Sequence, residues 1–451
     1  MKKILLFSMM ALPLTGCGIY KKYDRQPDVP ADLFGAVQVA DTASLGNLPW
    51  QQLFTDPELQ SLIEEGLSRN TDLQTAQLRV EQAEATLTAS KLAFLPSFAL
   101  APQGNVSSFD GGKAVQSYTL PVAASWQVDL FGGLLNAKRQ AKESYLISEA
   151  YRQAVRTRLI ASIANTYYTL LMLDTQYRIS QETSRKWEEG VRTAKALKQA
   201  GMYTEAGVAQ MEATYYNIQT SLEDLKEQIN QTQNSMALLL AVTPRNFKRD
   251  TLEAQQFSAD LSVGVPIQLL ANRPDVRSAE HAIAQAYYGV AQARSAFYPS
   301  ITLSGTAGWT NSAGAMILNP GKLIASAVGS LTQPLFNKGL NSARLKVAKA
   351  QQEEAQLQFN QTLLSAGSEV NNALTRYQTA QRKAALYDHQ ISSLETAVKS
   401  TRLLMQHGNT NYLEVLTAQQ SLLTAQLTQT ANRFSEIQGL INLYQALGGG
   451  R

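Results

Sequence analysis

The sequence predicts a mainly α fold with a membrane β part, built by internal duplication. Three observations carry this prediction. Two very long tracts lack proline. The chain repeats itself at an offset of about two hundred residues. Short segments after the repeated prolines alternate apolar and hydroxyl side chains.

The elements follow in chain order. Lys2-Lys3 and the apolar run Ile4–Leu14 read as a secretory signal, because such a run is too short to span a bilayer. The run ends in Leu14-Thr15-Gly16-Cys17, small residues before a cysteine, as in a lipobox. Residues 1–16 are expected to be removed and Cys17 to carry lipid. Cys17 is the one cysteine of the chain, which excludes an internal disulfide; an inert buried thiol is the other reading. Gly18, in place of an aspartate, favours the outer membrane. Cleavage lowers the net charge from +4 to +2, and no basic stripe points to nucleic acid.

Of 14 prolines, none lies between Pro121 and Pro244 and none follows Pro334. Proline in a helix interior costs about 3 kcal/mol, so these tracts permit very long helices. The first unit, 59–242, reads as a helix over 59–93 opened by Asp56-Pro57, strands at 97–106 and 117–128, a long helix over 134–200, a turn at Gly201, and a helix over 204–242. Within the long helix Val155, Leu159, Ile163 and Tyr167 form one stripe. Ala154, Ala161, Ala164, Tyr168 and Leu171 form a second on a neighbouring face, and two seams mean two helical neighbours. Such a helix is a rod of roughly 100 Å.

A linker over 243–265 leads to the second unit, 266–447. Asn272-Arg273-Pro274-Asp275 opens its first helix, with proline in the first turn and an acid at the positive dipole end. Strands at 300–310 and 323–333, a long helix over 338–406, a turn at Gly408 and a helix over 410–447 follow, with a tail at 448–451. In the last helix Leu413, Leu416, Gln420, Leu423, Leu427, Thr430, Phe434, Ile437, Ile441 and Tyr444 keep 3-4 spacing.

The two units are copies. An offset of 203 takes "AFLPSFAL" at 93–100 onto "AFYPSITL" at 296–303. An offset of 205 takes Leu130-Phe131 onto Leu335-Phe336, and one of 207 takes Gly201 and Val208 onto Gly408 and Val415. The order holds while the offset drifts by only four residues. In each copy a proline, Pro96 or Pro299, marks the passage from helix to strand.

The strands show period two. In 117–128 Tyr118, Leu120, Val122, Ala124, Trp126 and Val128 alternate with Ser117, Thr119, Pro121, Ala123, Ser125 and Gln127. In 300–309 Ile301, Leu303, Gly305, Ala307 and Trp309 alternate with Ser300, Thr302, Ser304, Thr306 and Gly308. One apolar and one hydroxyl-rich face over about ten residues is the pattern of a transmembrane barrel strand; a half-buried sheet in a soluble protein is the alternative. The segments 97–106 and 323–333 alternate less cleanly. Four strands cannot enclose a pore and open edges are not tolerated in lipid, so several chains must share one barrel. Trp126 and Trp309 suit an interfacial aromatic belt.

"WQQLFTDPEL" at 50–59, "NRPDVRSAEHAIAQAYYGVAQARSAFYPSITL" at 272–303, "GNTNYLEVLTAQQSLLTAQ" at 408–426 and the closing "LINLYQALGGG" at 440–450 resemble the TolC-like outer-membrane factor family of tripartite efflux systems, in its lipoprotein branch. The resemblance implies a homotrimer with a twelve-stranded outer-membrane β-barrel and a periplasmic α-barrel tunnel of long helical hairpins. It implies passive exit of drugs or other small toxic molecules, delivered by an inner-membrane pump of the resistance-nodulation-division type through a periplasmic adaptor. Residues 18–55 with 243–265 and the C-terminus would form a belt around the tunnel. A periplasmic gate is implied near Gly408. There Glu414 falls where relatives place a tip aspartate, and Tyr412, Leu413 and Leu416 would pack the closure. Thr410, Thr417 and Gly207 replace residues that form ion pairs or acidic rings in the family. The alternative for Glu414 is an ordinary solvated carboxylate.

Other classes fit less well. His281, His389 and His407 are scattered, no His/Cys cluster has ligand spacing, and neither a phosphate loop nor a serine elbow occurs, so neither an enzyme nor a cofactor or metal site is expected. A structural coiled-coil lipoprotein explains the rods but not the alternating strands. Metal-ion efflux or type I protein secretion are the alternative duct functions.

Overall fold

The computed structural model describes residues 21–24, 48–255, 257, 272–311, 322–407 and 412–450. The elements are α1 (Trp50–Leu53), α2 (Pro57–Arg69), α3 (Thr71–Leu92), β1 (Ser97–Leu100), β2 (Gln103–Ser107), β3 (Val115–Val128), α4 (Gly133–Gln199), α5 (Glu205–Leu239), α6 (Pro274–Ser295), β4 (Ser300–Thr310), β5 (Lys322–Thr332), α7 (Leu340–Gln406) and α8 (Tyr412–Ala446). Helix dominates. The signal run 1–16, Cys17, most of the 243–265 linker beyond Gln255, and the Gly408–Thr410 turn lie outside the described residues.

The duplication is written in the element ends. An offset of 203 takes α3 onto α6, and both have 22 residues. An offset of 207 takes α4 onto α7, each of 67 residues, and α5 onto α8, each of 35. Gly132 and Gly339, both left-handed at φ 69° and 78°, precede α4 and α7 at that same offset. The Leu-Phe pairs that sequence comparison matches at 205 therefore do not occupy equivalent places.

Two expected elements are divided. The helix expected over 59–93 breaks at Asn70. Its extended backbone (ψ 127°) ends α2, and its side chain accepts from Leu73 N at 3.0 Å to cap α3. Its amide also donates to Leu239 O at 2.9 Å, tying the break to the end of α5. The strand expected over 97–106 is β1 and β2. Ser97↔Ser125 in β1 and Ser107↔Val115 in β2 belong to one unbroken register against β3. The interruption at Ala101-Pro102 is chemical. Ala101 N donates to Pro121 O at 3.0 Å, but Pro121 has no N–H to return.

One compact unit includes Leu78–Ala150 and Arg277–Gln361, with residues 21–24. It holds an antiparallel sheet ordered β1/β2–β3–β4–β5. Residues 21–24 pack on α4 and α6, with the Tyr23 ring 5.6 Å from Tyr287 and Tyr23 N donating to the Tyr288 hydroxyl at 3.2 Å. This part of the expected belt therefore belongs to the sheet-bearing unit.

The other unit includes Tyr151–Val276 and Thr362–Arg451, with residues 48–77. Its core joins Trp50 and Phe54 to Ile163, Tyr167 and Tyr168 of α4 and to Ile437, Ile441 and Tyr444 of α8. Both α4 stripes are buried between Leu159 and Leu171, which accounts for its hydrophobic faces pointing two ways. The α8 stripe is buried from Ile437 to Tyr444 and opens toward solvent at Leu413 and Gln420.

Candidate functional site

Three places carry the functional geometry. The first is the sheet. Its registers place Leu120 opposite Trp309, Trp126 opposite Leu303, and Leu303 opposite Gly329. Phe98 and Leu100 join that side through Ala124 and Val122. The alternations of separate strands thus fuse into one apolar face, on which Phe98, Leu120, Val122, Trp126, Leu303, Trp309 and Leu331 are exposed. The opposite face carries hydroxyls that bond across strands: Thr306 to Ser326 at 2.7 Å, and Ser330 to Thr302 O at 3.3 Å. Val115, Ile324 and Val328 are among its apolar positions. Trp126 and Trp309 share the apolar face six ladder rungs apart, about 20 Å at the usual strand rise. The indole of Trp126 donates to Phe94 O at 2.9 Å, tying it to the turn after α3.

The second place is the helix-to-strand passage. Pro96 and Pro299 each stand one residue before a strand, at Ser97 and Ser300. Phe131 stacks on Tyr298 at 4.9 Å and 13°, so the passage of the second copy packs against the strand-to-helix return of the first.

The third is the hairpin tip of α4 and α5, with the start of α8. Gly201 turns the chain in a left-handed conformation (φ 73°), and Thr204 caps α5 by accepting from Gly207 N at 3.1 Å. Lys195 pairs with Glu212 at 2.6 Å, and Lys198 pairs with Glu205. A small core forms from Trp187, Val191, Val208, Met211 and Ile218. Leu416 is 6% exposed and packs within this core of the single chain. Leu413 and Glu414 are exposed at the start of α8, as is Thr417. Tyr412 begins α8, and its side chain lies outside the described set. No pattern in the sequence marks Tyr203, whose ring lies 2.6 Å from where a Cβ on Gly207 would stand.

Buried polar networks brace the helical unit. Asp56 caps α2 at Glu58 N (2.9 Å), accepts from the Tyr167 hydroxyl at 2.5 Å and from Gln255 Nε2 at 3.0 Å. Burial, then the bond to Asp56, pushes the Tyr167 hydroxyl far above its ordinary range. Arg273 forks onto Asp275 at 3.0 and 2.7 Å, reaches Glu369 at 2.7 Å, and donates to Ala446 O at 2.8 Å. Asp275, expected as a dipole partner, is thus also an ion-pair partner. Among the described residues no helix is long and apolar enough to cross a membrane, and no group of three or more His, Cys, Asp or Glu could hold a metal ion.

Long paired helices in a duplicated chain, with a strand layer that exposes one apolar face, are the features of a channel protein's subunit. The chain belongs to the outer membrane efflux protein family, whose sequence pattern matches residues 62–242 and 265–449. It is 28% identical over 457 aligned residues to the cation efflux system protein CusC of Escherichia coli O6:H1, covering 99% of this chain and 98% of that protein. It is 27% identical over 472 aligned residues to the toluene efflux pump outer membrane protein TtgC of Pseudomonas putida, covering 100% and 96%. The open-state structure of the MtrE outer membrane channel of Neisseria gonorrhoeae matches with a TM-score of 0.86 at 29% identity, covering 95% of this chain and 97% of that one. The chain is therefore an outer-membrane efflux channel protein with a TolC-like fold.

Proposed function

We propose that three copies of this chain form the passive exit duct of a tripartite efflux pump. The carrying observation is the sheet: one exposed apolar face, one hydroxyl face, and an open strand at each end of the order. Three such sheets make a twelve-stranded barrel with lipid outside and water inside. Trp126 and Trp309 bracket its apolar band, and Cys17 carries the lipid anchor. The long hairpins supply the periplasmic tunnel, entered from an inner-membrane pump of the resistance-nodulation-division type through a periplasmic adaptor. Glu414, with Tyr412 and Leu413, lies at the periplasmic gate. No step in this activity requires covalent chemistry. Single-channel recording on heat-stable oligomers from outer-membrane fractions tests the reading. Monomers without conductance overturn it.

A second substrate class is favoured by the similarity to a cation efflux protein. Drugs and small toxic molecules remain the first reading, given the toluene-pump relative of comparable coverage. Deleting the gene and measuring tolerance to a panel of hydrophobic toxicants and metal salts separates the two.

A further inference from the structure

The duplication also sorts charge on the helices that flank the sheet. An offset of 203 takes Lys91 onto Arg294. An offset of 207 takes Arg139 onto Lys346 and Lys142 onto Lys349. The acids of the same helices are not repeated. Glu81 and Glu84 map onto Ala284 and Tyr287, and Glu143 and Glu149 onto Ala350 and Gln356. Three cations are kept in both copies while their carboxylate neighbours change.

These cations lie at one level, where helix meets strand. Lys91 and Arg294 stand in the last turns of α3 and α6, shortly before Pro96 and Pro299. Arg139 and Lys142 lie about 9 and 14 Å along the axis of α4, and Lys346 and Lys349 at the same steps of α7. Neither long helix has an acid in its first turn, so the positive ends of both dipoles add to this charge. Trp126, bonded to Phe94 O, holds the near edge of the apolar face beside them.

Segment 21–24 shows which side of this level faces lipid. Arg139 donates to Lys21 O at 3.5 Å and lies over the Tyr288 ring at 5.5 Å, while Tyr23 packs on Tyr287. The segment begins four residues after Cys17, the residue read as lipidated, so the α4–α6 face it covers looks toward the bilayer. Among the described residues Lys21, Lys22, Lys142, Lys346 and Lys349 are exposed and make no salt bridge. In the helical unit, by contrast, Arg178, Arg249 and Arg273 each hold a carboxylate.

We propose that this collar of cations binds the phosphates of anionic phospholipid headgroups in the leaflet nearest the helices. The proposal rests on the duct reading, which puts this level at the periplasmic face of the outer membrane, and adds a lipid preference to it. The headgroup layer is about 5–8 Å deep on each side of a bilayer, and the long stems of lysine and arginine reach into it from below. A zwitterionic headgroup brings its own ammonium, which the collar repels. An anionic one offers phosphate without that cation.

The test is lipid-dependent fluorescence quenching in the full-length oligomer. W309F leaves Trp126 as the indole on the apolar face, because Trp50 and Trp187 are buried in the helical unit. The protein is reconstituted in zwitterionic vesicles containing a minor share of brominated phosphatidylglycerol, or the same share of brominated phosphatidylcholine. Phosphatidylglycerol is expected to be enriched about fivefold around Trp126 at low salt, and the preference to fade at high salt. K142Q with K346Q and K349Q should abolish the preference, and K349Q alone should lower it if the triple variant assembles poorly. R185Q with K186Q and K399Q, an equal charge loss far along the same long helices, should leave it intact. Equal quenching by the two lipids in the W309F chain overturns the proposal. So does a preference that survives the triple variant, or one that falls equally in the distal variant. Single-channel recording on the same preparation separates the two readings. Conducting oligomers without lipid preference overturn the collar alone, and preference without conductance overturns the duct alone. Absence of both overturns both.

Discussion

Pro121 lies directly opposite Gly308 in the β3–β4 ladder, and a Cβ on Gly308 would stand 2.2 Å from the Leu120 carbonyl oxygen and 2.5 Å from Pro121 Cα. Proline inside a sheet bonded on both sides is rare, because it removes a ladder bond. Here the proline is accommodated because the facing residue has no side chain. Gly308→Ala forces the two backbones apart at the middle of the sheet. We expect it to abolish or reduce at least tenfold the heat-stable oligomer in outer-membrane fractions. Gly305→Ala is the milder comparison, since its Cβ would meet Ser326 O at 3.2 Å. Equal oligomer yield from Gly308→Ala and the unsubstituted chain would show that the close approach is dispensable.

Asp56 gathers a helix cap, a tyrosine hydroxyl and a glutamine amide in one buried carboxylate. Removing a cap costs about 1 kcal/mol. Leaving the Tyr167 hydroxyl and Gln255 amide buried without their acceptor adds about 1–3 kcal/mol for each group. Asp56→Ala is expected to destabilise the helical unit by about 3–7 kcal/mol. Tyr167→Phe, which removes the bond to Asp56 and the one from Asp250 N and keeps the ring, is expected to cost about 1.5–3 kcal/mol. Chemical denaturation followed by far-UV circular dichroism measures both. Values within 0.5 kcal/mol of the parent would remove the network from the account of this fold.

The same tyrosines set an alkaline limit. Burial pushes the hydroxyls of Tyr167 and Tyr168 well above the ordinary value near 10. A group whose folded value is raised gives stability that is fully present below its unfolded value and is lost as pH rises toward the folded one. The helical unit should therefore hold steady from neutral pH to about 10 and weaken progressively above it. Tyr167→Phe with Tyr168→Phe should flatten that decline. A decline of unchanged slope in the double variant would assign alkaline sensitivity to other groups.

Much of this architecture was legible because proline and periodicity are local signals. The proline-free tracts marked α4 and α7, and the period-two alternation marked β3 and β4. The break at Asn70 was hidden because a polar residue inside an amphipathic tract reads as solvent face. Its role depends on Leu239, far along the chain. The nick at Pro102 needed the cross-strand partner Pro121 to be intelligible. Arg273 read as part of a helix start, whereas its partners Glu369 and Ala446 O come from elsewhere in the sequence. Leu416 read as one more position on a continuous stripe; only the packing of α4 and α5 around it shows which side it faces.

The tip offers a further test through Tyr203 and Gly207. Any Cβ at 207 meets the Tyr203 ring at 2.6 to 2.7 Å, while Thr204 holds Gly207 N as the cap of α5. Gly207→Ala must displace the ring from the small core it adjoins. We expect a loss of roughly 1–3 kcal/mol, the usual range for overpacking, felt locally as faster proteolytic cleavage around residues 200–207. Tyr203→Ala in the same chain should relieve the crowding and bring the Gly207→Ala increment close to zero. Additive effects of the two changes would mean that ring and glycine are not coupled.

Glu414 stands in the first turn of α8, where its charge favours the positive end of the helix dipole, and it is exposed in the single chain. Three carboxylates around a narrow threefold opening would concentrate cations and repel anions far more strongly than one on an open surface, because low-dielectric walls focus the field. Glu414→Ala is therefore expected to change single-channel conductance and to reduce cation-over-anion preference several-fold in planar bilayers. The effect should be largest at low salt, where screening is weakest. Thr417→Asp, one turn further along the helix, adds a second charge and should shift preference the opposite way. A solvated carboxylate outside the conduction path predicts no change in conductance or selectivity from either substitution, and that outcome would remove Glu414 from the gate.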